Sequence, residues 1–219
     1  VFLVKCMSKL FEIKICGIND EYCMAAALEC EVEYIGLVFF RKSPRNVSID
    51  FSKRLLTNRN TYTKIVVLTV NPDDDLISKI IVNIQPDYIQ LHGGETPERC
   101  LEIKNEFNIP IIKGIGIKTK EDLINSTKKF ENCSDILLLD APSMSLPGGN
   151  GSKFNWNILK DYNHKKKWML AGGLKSNNIH EAIKITNPPA IDISSGVEVQ
   201  KGIKSPNLIR NFVNICRNI

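Results

Sequence analysis

The sequence predicts one closed (β/α)8 barrel, an α/β fold with its active site at the C-terminal ends of eight parallel strands. Three observations predict it. Runs rich in β-branched and aliphatic residues recur at intervals of roughly 22 to 33 residues. Segments with helical character and readable caps lie between most of them. No linker, low-complexity stretch or composition shift divides the 219 residues. Strands separated by helices pair in parallel, because each helix carries the chain back across the sheet. Eight such units in about 210 residues suit a closed barrel, whereas an open doubly wound sheet would not use eight strands so evenly spaced.

The strands are expected at about 12–16, 34–39, 64–70, 87–91, 110–115, 135–140, 168–171 and 190–194. In the first, Ile13 and Ile15 face one way and Lys14 and Cys16 the other, since side chains alternate along a strand. With the apolar face under helices, Lys14 and Cys16 point into an enclosed space, and Gly17 lets the chain turn sharply beyond the thiol. Asn19 or Asp20 can cap the first helix, Asp50 the second, Asp73 the third and Thr96 with Pro97 the fourth. Thr119 with Glu121 and Asp122 opens the fifth, Asn155 the sixth, Ser176 to Asn178 the seventh, and Ser205 with Pro206 the eighth. Cys23, Ala26, Ala27 and Cys30 form a core-facing stripe on the first helix, so both cysteines read as packing. Residues 1–8 are expected to be an N-terminal tail and 9–219 the barrel. The chain starts at Val1 and Met7 could initiate it, which leaves residues 1–6 open as a tail or the remnant of an upstream domain.

Composition narrows the function. A hydrophobic content of 43% is ample for a core, and the net charge of +5 comes from 29 basic and 24 acidic residues spread along the chain. This modest surplus suits a small anionic substrate. No interleaved aromatic and basic residues point to nucleic acid, and Lys165-Lys166-Lys167 reads as a solvated turn. The apolar opening Val1 to Val4 is interrupted by Lys5 and Lys9, too early for a signal peptide or membrane span. Seven widely spread cysteines without a C-x-x-C pair suggest a reducing, cytoplasmic setting. His92, His164 and His180 lack metal-ligand spacing and no cofactor signature appears, so neither a metal nor a cofactor is expected.

Polar residues gather where the strands end: Cys16, then Arg41, Ser43 and Arg45, Asn71, Gln90 with His92, Asp140, Gly172 with Gly173, and Asp192 to Gly196. The glycine-rich turns Ala171-Gly172-Gly173 and Ser194-Ser195-Gly196 stand where many barrels bind phosphate through backbone N–H groups. Asp140 follows the aliphatic run Ile136 to Leu139, and desolvation there should raise its pKa from about 3.9, the direction a general acid needs. The long loop that follows, up to Lys153, is expected to act as a lid.

Together these segments resemble the phosphoribosylanthranilate isomerases of tryptophan biosynthesis, from about Glu12 to Phe212. The likeness rests on Lys14-Ile15-Cys16-Gly17-Ile18, Gly36-Leu37-Val38-Phe39-Phe40 with Ser43-Pro44-Arg45, and Gln90-Leu91-His92-Gly93. It continues in Leu138-Leu139-Asp140, Gly148-Gly149-Asn150-Gly151, Ala171-Gly172-Gly173-Leu174 and Asp192-Ile193-Ser194-Ser195-Gly196-Val197-Glu198. Asn155 departs from the aspartate usual before the tryptophan, and Leu68-Thr69-Val70 is more polar than usual.

The resemblance implies a cofactor-free Amadori rearrangement of N-(5-phosphoribosyl)anthranilate to 1-(2-carboxyphenylamino)-1-deoxyribulose 5-phosphate. Asp140 would be the acid at the furanose oxygen and Cys16 the base at C2. Arg45 would hold the anthranilate carboxylate, a task suited to a planar cationic fork. Gly172, Gly173, Ser195 and Gly196 would cradle the phosphate, while Gln90, His92 and Asp192 line the pocket. As a base Cys16 needs thiolate character, which Lys14 is expected to support. Association or fusion with neighbouring pathway enzymes stays open. So do two other readings: a Schiff-base lyase acting through Lys14 or Lys113 as an in-barrel lysine, and a barrel that binds phosphosugar without turnover.

Overall fold

The computed structural model describes residues 11–141 and 155–219. Eight parallel strands, β1 (Glu12–Cys16), β2 (Tyr34–Phe39), β3 (Lys64–Thr69), β4 (Tyr88–Leu91), β5 (Ile111–Gly116), β6 (Ile136–Asp140), β7 (Lys167–Leu170) and β8 (Ala190–Ile193), close in chain order, with β8 pairing back to β1. The helices are α1 (Glu21–Glu29), α2 (Ile49–Leu55), α3 (Asp74–Ile84), α4 (Pro97–Glu106), α5 (Lys120–Phe130), α6 (Ile179–Thr186) and α7 (Pro206–Arg217). This is the expected barrel.

Strand alternation sorts the side chains into two cores. Ile13, Ile15, Ile35, Leu37, Ile65 and Val67 point outward and pack with helix residues such as Ala27, Ile80, Ile103 and Phe212. Inside, Tyr34, Val66, Ile112, Ile136, Leu138, Met169 and Ala190 fill the lower barrel, and Cys16, Val38 and Leu68 form a separate cluster above them. The interior is therefore packed from below, leaving only the upper rim for chemistry.

Most caps stand where the sequence puts them. Asp20, Asp73, Thr96, Thr119 and Ser205 each accept a first-turn N–H, and Thr119 with Asp122 forms a reciprocal capping box. Two expectations are corrected. Ser48, not Asp50, caps α2: its backbone is extended and its Oγ accepts from Phe51 N at 3.2 Å, while Asp50 sits in the first turn, where its charge complements the helix dipole. The sixth helix is replaced by a single 3₁₀ turn, Trp156–Leu159. Asn155 caps that turn, and the asparagines of Asn155-Trp156-Asn157 favour local side-chain bonds over helix propagation. Asn178 precedes α6 without capping it, because its Oδ1 accepts from Lys175 N instead.

The lysine run is less solvated than expected. Lys165 is exposed, but Lys166 Nζ donates to Ser134 O at 2.7 Å, and Lys167 opens β7, paired with Glu12 and donating to Tyr34 Oη at 2.9 Å. After β8 comes a hairpin absent from the sequence reading, β9 (Glu198–Gln200) with β10 (Ile203–Lys204), turned at Lys201-Gly202 with Gly202 at φ +83°. Among the described residues no helix is long and apolar enough to cross a membrane. The tail at 1–8 and nearly all of the expected lid, including Gly148-Gly149-Asn150-Gly151, lie outside the described residues.

Candidate active site

The first strand delivers the thiol as alternation requires. Lys14 and Cys16 project inside the barrel and are buried. Lys14 and Asp192 are direct cross-strand partners, and Lys14 Nζ lies 2.9 Å from Asp192 Oδ1. Burial works to lower the Lys14 pKa, but Asp192 and the neighbouring Cys16 outweigh it and hold the ammonium above its ordinary range. For Cys16 burial comes first and pushes the thiol up; Lys14 pulls it down, Asp192 pushes up again and Lys204 pulls down, leaving it above the ordinary value near 9. Lys14 is close enough to act on the thiol, yet its charge is largely matched by Asp192. Lys14 thus favours the thiolate, as expected, while burial and Asp192 oppose it.

Cys16, Arg45, Gln90, His92, Asp140 and Asp192 line one cleft at the C-terminal rim, together with Ser43 and Ser194. Gln90, on β4, is fully buried, and its Nε2 lies 3.0 Å from His92 Nδ1. With the amide in this orientation the imidazole accepts at Nδ1 and carries its proton on Nε2, which faces Asp140 Oδ2 at 3.4 Å. Gly114 of β5 makes room for that ring, since a Cβ there would fall 2.2 Å from His92 Nδ1. Asp140 Oδ1 accepts from Ala141 N at 2.7 Å, so the carboxyl end of β6 is tied to its own loop. Gln90 Oε1 is buried with no hydrogen-bond partner among the described residues.

The glycine turns lie beside this cleft. Gly172 and Gly173 adopt φ +87° and +68° and line a recess with Trp156, Lys175 and Asn178. Gly196 packs against the same loop, where a Cβ would meet Leu174 O at 1.9 Å. Among the described residues the backbone N–H groups of Gly172, Gly173, Ser195 and Gly196 donate to no loop, turn or side-chain acceptor. The latter two open the 3₁₀ turn Ser195–Val197, whose first N–H groups have no partner within the turn.

Arg41 and Asn71 take no part in the cleft. Arg41 is exposed, and Asn71, at φ +47°, shapes a turn by donating its N–H to Glu95 Oε1 and accepting from Gly94 N. Lys113 is not inside the barrel. Ile112 points in, so Lys113 points out, where Leu91 O, Gly93 O and Glu95 Oε2 take its three protons. With Lys14 held as an ammonium, neither lysine offers the free amine a Schiff base needs.

Sequence reasoning missed two residues here. Glu198 binds Arg45 at Nε and Nη2, and Lys204, fully buried, lies 3.1 Å from Glu198. Burial lowers the Lys204 pKa, and Glu198 only partly offsets it. A β-branched pair around Lys201-Gly202 was the available hairpin signal. Among the described residues no three His, Cys, Asp or Glu side chains gather to hold a metal ion.

Comparisons with known proteins concern the chain as a whole. Residues 13–215 match the family described as PRAI, N-(5'-phosphoribosyl)anthranilate (PRA) isomerase. A relative from Paracoccus denitrificans, named N-(5'-phosphoribosyl)anthranilate isomerase, is 40% identical over 204 residues, spanning 92% of this chain and 94% of that protein. The phosphoribosyl anthranilate isomerase of Thermotoga maritima superposes with a TM-score of 0.85 at 28% identity, covering 95% of this chain and 100% of that one. A crystal structure of such an enzyme with reduced 1-(o-carboxyphenylamino)-1-deoxyribulose 5-phosphate gives a TM-score of 0.82 at 28% identity, with the same coverage.

Proposed function

The chain belongs to the N-(5'-phosphoribosyl)anthranilate isomerase family, and from that membership we infer how its residues divide the work. It is an isomerase of tryptophan biosynthesis that converts N-(5-phosphoribosyl)anthranilate to 1-(2-carboxyphenylamino)-1-deoxyribulose 5-phosphate. We propose that residues 9–219 are one catalytic domain in which Asp140 is the general acid and Cys16 the general base. The observation that carries this is the convergence of Cys16, Arg45, Gln90, His92, Asp140 and Asp192 on one cleft.

The chemistry follows from charge. Asp140 gives its proton to the furanose oxygen as the C1–O bond breaks, and the substrate nitrogen becomes an iminium. That positive charge acidifies the C2 hydrogen and favours the thiolate of Cys16, offsetting the burial that pushes the thiol pKa up. Cys16 then removes the C2 proton, giving the enolamine that tautomerises to the aminoketose. Arg45 holds the carboxylate, and the N–H groups of Gly172, Gly173, Ser195 and Gly196, without a loop, turn or side-chain acceptor among the described residues, hold the phosphate. Gln90 Oε1 accepts from a substrate hydroxyl or amine, which accounts for a buried acceptor unmatched among the described residues.

Cys16→Ala and Asp140→Asn should each cut turnover by about 10² to 10⁴ while far-UV circular dichroism stays unchanged. Near wild-type turnover in either variant removes the role given to that residue. A cytoplasmic location and association or fusion with neighbouring pathway enzymes belong to the same proposal. Gel filtration and localisation of the full natural protein test them.

A further inference from the structure

Arg45 is enclosed on several sides. Gly17, at φ +79°, approaches so closely that a Cβ there would lie 2.6 Å from Arg45 Cδ. Glu198 grips the guanidinium at Nε (2.6 Å) and Nη2 (2.9 Å). The hairpin carrying Glu198 is itself anchored: Glu198 accepts from Gly202 N at 3.0 Å, Lys204 donates to Ser194 O at 2.9 Å, and Asn19 Nδ2 donates to Gly202 O at 3.0 Å. The three charged side chains are 7%, 4% and 0% exposed for Arg45, Glu198 and Lys204. Burial pushes the Glu198 pKa up, but Arg45, Lys204 and the Gly202 N–H outweigh it and hold the carboxyl below its usual range.

A guanidinium has two edges that can take a carboxylate bidentately. Glu198 occupies the Nε–Nη2 edge, and Nη1 has no partner among the described residues. Arg45 and Glu198 together are electrically neutral, so a pocket built from that pair alone would attract no anion. Lys204 restores one positive charge to the group. We propose that Glu198 is a positioning residue that turns the second edge of Arg45 toward the cleft as the dock for the substrate's aromatic carboxylate, with Lys204 supplying the uncompensated charge. This rests on the role given to Arg45 above. The hairpin is then a specificity element: it decides whether an N-aryl amino sugar with or without the ortho carboxylate is preferred.

Two probes test it by calorimetry: reduced 1-(o-carboxyphenylamino)-1-deoxyribulose 5-phosphate and its phenylamino counterpart without the carboxylate. The wild type should bind the first at least about tenfold more tightly, as a charge-assisted bidentate contact requires. Glu198→Gln should reduce that ratio by about tenfold, leaving the phenyl probe's affinity nearly unchanged, and Arg45→Met should abolish the preference. An unchanged ratio in Glu198→Gln, with the preference lost in Arg45→Met, overturns the positioning role while sparing the reading of Arg45. Equal weakening of both probes in Glu198→Gln also overturns it, since that is the signature of a merely structural residue. A preference that survives Arg45→Met removes the reading of Arg45 and the proposal with it. Should Glu198→Gln lose its cooperative melting transition, Glu198→Asp replaces it: one methylene short of spanning both nitrogens, it should give an intermediate ratio, and a wild-type ratio overturns the proposal.

Discussion

Glu95→Gln removes the charge from an ion pair whose two side chains are each 2% exposed. Glu95 Oε2 lies 2.9 Å from Lys113 Nζ, and the same carboxylate accepts from Asn71 N at 2.7 Å and from Gly93 N at 2.9 Å. Glutamine keeps the volume but leaves the Lys113 ammonium buried against two carbonyls, Leu91 O and Gly93 O. Breaking a buried pair in this way costs about 3–5 kcal/mol. At about 2–4 °C per kcal/mol for a domain of this size, the melting temperature should fall by roughly 6 to 20 °C. The pH dependence follows from the direction of the shift. Burial pushes the Glu95 pKa up, but Lys113 and the Asn71 N–H hold it below its ordinary value of 4.5. The native state therefore binds protons less readily than the unfolded chain. The stabilisation is complete above pH 4.5 and is lost as the pH falls through the lower native value. Thermal melts of both proteins should differ fully at pH 7 and draw together as the pH falls from 4.5 through the lower native value. A shift under about 2 °C at neutral pH, or a gap that widens as the pH falls below 4.5, would refute the argument.

Lys14→Met should make Cys16 harder to ionise, because burial is then opposed only by the weaker pull of Lys204 and Asp192 is left unmatched. Iodoacetamide labelling of Cys16 at fixed pH should slow by about tenfold or more, and unchanged labelling would mean that Lys14 is only a charged plug beneath the thiol. Gly114→Ala places a methyl group within 2.2 Å of His92 Nδ1, so the imidazole must leave Gln90 and Asp140. Turnover should drop by about tenfold to a hundredfold with the barrel intact, and wild-type kinetics would show that the position of His92 is immaterial.

The barrel was legible because its signals are local and repeated. A period of two in Ile13-Lys14-Ile15-Cys16 and capping residues at Asp73, Thr96, Thr119 and Ser205 are each decided by neighbours a few residues away. Failures came where a segment was too short for periodicity or where two local bonds competed. Ser48 and Asp50 both suit a cap, and only the extended backbone at Ser48 separates them. β9 and β10 span three and two residues, below the length at which alternation can be read. Asn155 promised a helix because a cap is local, but helix propagation depends on the residues after it.

The same division holds for the site. Sequence alone determined that Cys16, Asp140, Arg45 and the glycine turns stand at strand ends, since strand position follows from a pattern that every residue of the strand shares. Only the tertiary structure decided what each group's charge faces. Lys14 is matched across the sheet by Asp192, 178 positions away, and Arg45 is gripped by Glu198, 153 positions away. Lys113 proved to lie outside the barrel wall, neutralised by Glu95. Electrostatic interactions act through space, and the dielectric that sets their strength is created by burial, which no local stretch of chain encodes. That is why the sequence could name the thiol but not its protonation state.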